Sequence, residues 1–229
     1  MHDRDASVVV WEVATQRQQV ALTQRGEDFL SVAWSPDSKV LAAGDYPGLL
    51  RLYDVQASKL MATLDMKDSG DITALAFAPG GKILAAAGSG SDPSKVLLWD
   101  VAGRKVVAEL TEKTLGVSSL GFTADGKTLV SGLRDRISLW DVDTRKLRST
   151  IVSPQKDVSC VAMTSDGKLV ATGSNDKTVV LWDAATGKAL VTLEGHAGWL
   201  ASVSFSADGR WLLAFTRGRK GVRLWELMP

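Results

Sequence analysis

The chain has 229 residues, 45% of them hydrophobic, and 27 lysines and arginines against 26 aspartates and glutamates leave a formal net charge of +1. That is ample apolar material for one packed domain, and the near-balance of charge gives no reason to expect nucleic acid or an anionic membrane as partner. A single cysteine, Cys160, excludes an intramolecular disulfide and any CxxC metal site. The start, MHDRDASVVV, is charged and leads into no long apolar run, so neither a signal peptide nor a membrane span is read there, and a reducing, intracellular setting is expected.

In chain order, the first elements are strands at 7–13 and 18–23. Four units follow, over about 29–65, 72–111, 117–152 and 158–194, and then three strands over about 200–227. The unit VSCVAMTSDGKLVATGSNDKTVVLWDAATGKALVTLEG shows the plan: VSCVAM is strand a, LVATG strand b, TVVLWD strand c and ALVTL strand d, with SDGK and SNDK as the first two turns. Small and β-branched residues fill the runs, and Asp-Gly or Asn-Asp pairs punctuate them, as antiparallel hairpins require. No stretch carries helical periodicity over the roughly 10 to 12 residues a helix needs.

These elements repeat. VVVWE, LLRLYD, KVLLWD, RISLWD, TVVLWD and GVRLWE each end on an aromatic and an acid: Trp11, Tyr53 with Asp54, Trp99 with Asp100, Trp140 with Asp141, Trp182 with Asp183, and Trp225. The aromatics are 42, 46, 41, 42 and 43 residues apart, and the turn residues Ser38, Gly81, Gly126, Gly167 and Gly209 step by 43, 45, 41 and 42. Two independent markers with one period define an internal repeat of about 40–45 residues. A four-stranded unit cannot bury both faces alone, whereas units stacked around an axis bury each other, so an all-β propeller is predicted.

With these aromatic–acid endings, the turns SPDS, APGG, TADG, TSDG and SADG, and the segment LEGHAGW, the chain resembles the WD40-repeat family over essentially its whole length. WD occurs three times as written, YD or WE stands in the other copies, and GH occurs once, at Gly195-His196. The resemblance implies a single propeller domain divided into 1–27 (strands c and d), 28–66, 70–112, 116–153, 157–195 and 199–229, the last without a strand d of its own. It further implies a cytoplasmic, non-catalytic scaffold that binds a protein or peptide, without cofactor or metal; the alternatives are a propeller enzyme of hydrolase, lyase or dehydrogenase type and a propeller that binds a small ligand or glycan. Members of the family typically have seven blades and close the ring by lending an N-terminal strand to the last blade. Here residues 20–23 could close a five-bladed ring, or the chain is the C-terminal part of a longer propeller, which is the expectation. At ~42 residues per repeat a six-bladed parent would lack about 30 residues and a seven-bladed one about 70.

One stretch resembles enzyme chemistry. Gly121 to Thr128, GFTADGKT, fits the phosphate-loop pattern G-x-x-x-x-G-K-[ST]. Such a loop must lead into a helix whose amides face the anion, but LVSG, a strand, follows Thr128. Gly121 falls at a strand-a position occupied by Ala33, Ala76, Ala162 and Ser204 in the other copies, and Gly126-Lys127 falls in the hairpin turn. No nucleotide site is expected. Asp183 to Lys188 similarly carries the DxxTGK pattern of quinoprotein propellers, and a c–d hairpin accounts for the same residues without a cofactor.

The family resemblance implies for His196 a structural hydrogen-bonded tetrad with a strand-b hydroxyl, a b–c-turn acid and the strand-c tryptophan. In its own repeat the matching residues read as Phe215, Arg219 and Trp225, and in the preceding repeat Thr172, Asp176 and Trp182 are matched by Pro154 instead of histidine, so neither set is complete. No nucleophile–base–acid set is legible, and strand a offers the channel mostly Ser, Ala and Thr. Cys160, aligned with Ser31, Ala74, Ser119 and Ser202, is expected to be buried. Partner binding has better candidates on the rim formed by d–a and b–c loops. Trp199 stands just before strand a, where the other copies have Asp28, Asp71, Gly116 and Asp157, and is a candidate anchor. Arg134, Asn175 and the cluster Arg217, Arg219 and Lys220 fall in b–c turns of the same rim.

Overall fold

The computed structural model describes residues 5–25, 28–46, 48–66, 70–90, 94–112, 116–155, 157–218 and 221–227. Every regular element among them is an antiparallel strand. The first sheet pairs β1 (Asp5–Glu12) with β2 (Arg17–Arg25). Four complete blades follow. The first comprises β3 (Phe29–Trp34), β4 (Val40–Asp45), β5 (Leu49–Asp54) and β6 (Lys59–Asp65). The second comprises β7 (Ile72–Phe77), β8 (Ile83–Gly88), β9 (Ser94–Asp100) and β10 (Lys105–Glu112). The third comprises β11 (Val117–Phe122), β12 (Thr128–Leu133), β13 (Arg136–Asp141) and β14 (Lys146–Val152). The fourth comprises β15 (Val158–Met163), β16 (Leu169–Ser174), β17 (Val179–Asp183) and β18 (Ala189–Leu193). The last sheet has three strands, β19 (Leu200–Phe205), β20 (Trp211–Thr216) and β21 (Val222–Glu226).

The turns explain the repeated polar letters. In the a–b turns, the hydroxyls of Ser35, Thr123, Thr164 and Ser206 donate to Asp37, Asp125, Asp166 and Asp208, at 2.7, 2.6, 2.7 and 2.5 Å. The same hydroxyls accept the amides of Val40, Thr128, Leu169 and Trp211 that open strand b. These hydroxyls, and then the backbone amides, hold the four aspartates below the usual carboxylate range. The acids after the strand-c aromatics close the c–d turns: Asp54 accepts from the Ala57 amide, Asp100 from Ala102 and Gly103, Asp141 from Thr144, and Asp183 from Thr186. The repeated aromatic–acid ending is thus a core wedge followed by a turn cap.

The phosphate-loop match dissolves in this geometry. Gly121 lies in β11, Thr128 opens β12, and Gly126 takes φ 71° in the tight turn between them. The amides of Gly126, Lys127 and Thr128 are all engaged, by the Thr123 carbonyl, the Asp125 carboxylate and the Thr123 hydroxyl, and are not free to cradle an anion. The Thr186 amide and hydroxyl and the Gly187 amide are likewise bound within their turn to Asp183.

The core lies between sheets rather than within them. Each strand-c aromatic wedges into the core of the preceding sheet: Tyr53 against Val10, Val20 and Leu22, Trp99 against Leu50 and Leu52, Trp140 against Val96 and Leu98, Trp182 against Ile137 and Leu139. Trp225 packs on Val179 and Leu181 in the same way. Trp11 has no preceding described sheet to enter and is 58% exposed. Close approach of blades also requires small residues on strand b. A Cβ on Gly44 would lie 2.4 Å from the side chain of Ile72 in the next blade, and one on Gly132 would lie 2.5 Å from Val161.

Strand-a hydroxyls stitch successive blades together. Ser31 donates to the Ile72 carbonyl at 2.8 Å, Thr73 to Val117 at 2.8 Å, Ser118 to Val158 at 3.2 Å and Ser159 to Leu200 at 2.7 Å. One of the two closure alternatives is not formed, and one turn is placed differently. Residues 20–23 do not complete the last sheet, because β2 pairs with β1 and β21 pairs with β20 alone. Strand b of the fourth blade extends to Ser174 and strand c begins at Val179, so the four-residue turn between them lies one residue further along the chain, and the Ser174 amide donates to the Thr178 carbonyl across it.

Candidate functional site

A cavity of roughly 760 Å³ lies at one mouth of the channel lined by the strands a. Its floor is a ring of equivalent residues, the second of each strand a: Leu30, Thr73, Ser118, Ser159 and Ala201. The hydroxyls of Thr73, Ser118 and Ser159 are committed to the interblade bonds and so serve as structure rather than as nucleophiles. Around the floor stand residues that follow strand b, Ser89, Arg134, Asn175 and Arg217, together with Gly116 and Asp157, which precede strand a.

A repeated backbone bond builds this rim. The amide of the residue after strand b donates to the carbonyl of the residue before strand a: Tyr46 to Asp28, Ser89 to Asp71, Asn175 to Asp157 and Arg217 to Trp199, at 2.9, 3.0, 3.1 and 2.8 Å. Each such blade therefore presents two adjacent side chains at the mouth. Of the expected residues, Arg134, Asp157, Asn175 and Arg217 line the cavity, whereas Asp28, Asp71 and Trp199 occupy the rim outside it. Arg219 and Lys220 lie outside the described residues. Trp199 is 55% exposed. Tyr46, equally exposed, is a second rim aromatic. Its position after strand b could have marked it, had the b–c turns been aligned by the residue following the strand.

The charges at the mouth differ in their commitments. Arg134 Nε lies 3.4 Å from Asp157, whose φ of 56° folds the loop back towards the rim. Arg51, in β5, is unavailable: it is buried in an ion pair with Asp45 and stacks over Phe29 at 6.0 Å. Sequence reasoning missed this pair, whose only signal was Asp45 ending a strand b that ends in Gly, Leu, Ser or Thr elsewhere. Arg217 pairs with no acid among the described residues. Burial pushes the Cys160 thiol up to about 11, against smaller lowering effects of the Ser159 hydroxyl, the Gly173 backbone and the Arg217 charge. Cys160 is buried, as expected, and is no nucleophile at neutral pH.

The histidine tetrads need two corrections. By strand register the residue matching Thr172 is Ala214, not Phe215, because Ala214 faces Arg223 as Thr172 faces Val180. Ala214 has no hydroxyl, and His196 is buried edge-on to Trp225 at 5.2 Å with Nε2 unpartnered. Burial and the nearby Arg223 hold its pKa below the ordinary histidine value. In the fourth blade the network is complete without histidine. Trp182 Nε1 donates to Thr172 at 2.9 Å, Thr172 donates to Gln155 Oε1, and Gln155 Nε2 donates to Thr178, which donates to Asp176. Gln155, next to Pro154, supplies the donor and acceptor that a histidine would. No group of three potential metal-binding side chains occurs among the described residues.

The description "WD domain, G-beta repeat" fits residues 145–183 and 187–226 as a family model. A second model, described as eukaryotic translation initiation factor eIF2A, matches residues 8–137. Those matches join a four-stranded repeat that places an aromatic between blades and an acid in the c–d turn. The chain belongs to the WD40-repeat family. This WD40 chain is similar to the small ribosomal subunit protein RACK1 of Neurospora crassa, 30% identical over 142 residues, which cover 58% of this chain and 43% of that protein. It is also similar to MST50-interacting protein 11 of Pyricularia oryzae, 31% identical over 142 residues with the same shares covered. The match thus spans 43% of the length of these curated relatives.

Proposed function

We propose that this WD40 chain is a non-catalytic scaffold that docks a partner protein or peptide on the rim of the channel mouth, with its 229 residues acting as one propeller domain. The observation that carries this reading is the rim itself. A repeated backbone bond sets adjacent side chains around a cavity of roughly 760 Å³, while the hydroxyls beneath are consumed in holding the blades together. Trp199 is the anchor, since a large exposed aromatic on a rigid rim supplies contact area at little entropic cost. Arg134, Asp157, Asn175 and Arg217 set specificity, and Asp28 and Asp71 flank them. The likeness to a small ribosomal subunit protein and to a protein named for an interaction supports a binding role, and a cytoplasmic setting goes with it.

Trp199→Ala tests the reading. Capture of a partner recovered with the unaltered chain should fall at least about tenfold, as for an interface hot spot, while the melting midpoint shifts by no more than a few degrees. A large loss of stability would instead assign Trp199 to the fold and remove the anchor.

A further inference from the structure

The arginines of this chain differ in whether they already have an acid. Arg51 is buried on Asp45, Arg134 faces Asp157, Arg136 grips Asp135 at 2.8 Å and Arg210 reaches Glu226 at 3.3 Å. Arg217 lines the mouth cavity with no acid beside it among the described residues. The cavity therefore holds two arginines against one acid, while the rim acids Asp28 and Asp71 lie outside it. An exposed cation alone would be a solvated loop, but this one has an apolar neighbour fixed to it. The Arg217 amide is bound to the Trp199 carbonyl at 2.8 Å, so the guanidinium and the exposed indole rise from adjoining points of the rim. An apolar surface beside a cation excludes water from an arriving anion and strengthens the pair.

Resting on the rim reading above, we infer that the basic side of the mouth takes a carboxylate from an acidic segment of the partner protein, with Arg217 meeting the carboxylate and Trp199 packing on an apolar residue next to it. A small inorganic anion would leave the indole and most of the open cavity unused. A basic segment would meet the uncompensated Arg217. Arg134 serves less, because Asp157 must first be displaced from it.

The test is selection of short random peptides, displayed on phage, against the full chain, followed by binding of the selected sequences made with free and with amidated C-termini. Enriched peptides should carry Asp or Glu beside a large apolar residue, and their affinity should fall as salt is raised. Arg217→Gln should weaken them at least about tenfold with an unchanged melting curve, and Arg217→Glu should shift the selection to Lys and Arg. Equal binding after amidation assigns the carboxylate to a side chain, and loss on amidation assigns it to a chain terminus. Enriched peptides without acids that are lost with Trp199→Ala would overturn the acidic partner but leave the rim reading standing. No enrichment, or binding indifferent to both Arg217→Glu and Trp199→Ala, would overturn both.

Discussion

A tryptophan wedged between sheets brings an indole N–H that needs an acceptor, and the blades differ in whether they supply one. Trp140 donates to Ser131 at 3.0 Å and Trp182 to Thr172 at 2.9 Å. The register puts Ala86 at the same place in the second blade, and Trp99 Nε1 is buried there without a partner. A buried unpaired donor costs about 1–3 kcal/mol. Ala86→Ser should therefore raise the unfolding free energy by about 1 kcal/mol, and Thr172→Ala, which takes the acceptor from the Trp182 indole and one donor from Gln155, should lower it by about 1–3 kcal/mol. Both are read from the urea midpoint at unchanged slope. A destabilised Ala86→Ser would mean that the site is too tightly packed for the hydroxyl to reach the indole.

For the strands, the decisive contacts run from one blade to the next. Ser159 donates to Leu200 of the following sheet and also to Gly173 of its own, at 2.7 and 3.1 Å. Ser159→Ala should lower stability by about 1–2 kcal/mol, since the buried carbonyls lose their donor. The control is Ser165→Ala. Ser165 also bonds across blades, to the Ala207 carbonyl at 3.2 Å, but at an exposed turn, so its removal should stay within about 0.5 kcal/mol. Equal effects would mean that the strand-a hydroxyls do not stitch the blades.

At the scale of the molecule, stability is a sum over neighbouring sheets, and among the described residues the two terminal sheets each share a core cluster with one neighbour. Strand b is buried residue after residue in the four complete blades, yet in β20 burial alternates, leaving Trp211, Leu213 and Phe215 exposed. Phe215 stands where Gly44, Gly132 and Gly173 admit the next blade, and Ala201 lacks the stitching hydroxyl of Ser159. The outer face of the last sheet therefore differs, in side-chain size and in hydroxyl placement, from the faces that pack between the complete blades. Amide hydrogen exchange should be faster in β1–β2 and β19–β21 than in β8, β12 and β16, whose residues are covered on both faces. Uniform protection would show that the terminal sheets are covered in solution.

Much of this protein is set by local chemistry and so could be read from its letters. Period, strand order and turns follow from alternation, Asp-Gly pairs and aromatic–acid endings, which act over a few residues. The four complete blades, the two-stranded start, the three-stranded end and the burial of Cys160 were all legible in this way. What required the tertiary structure was every relation between residues far apart in the chain. Register replaced Phe215 by Ala214 as the partner position of Trp225, and the loop before β15 brought Gln155, rather than a histidine, to Thr172. Only packing separated Arg51, buried on Asp45, from Arg217, left at the mouth, because a charge is spent or available according to what the fold sets beside it.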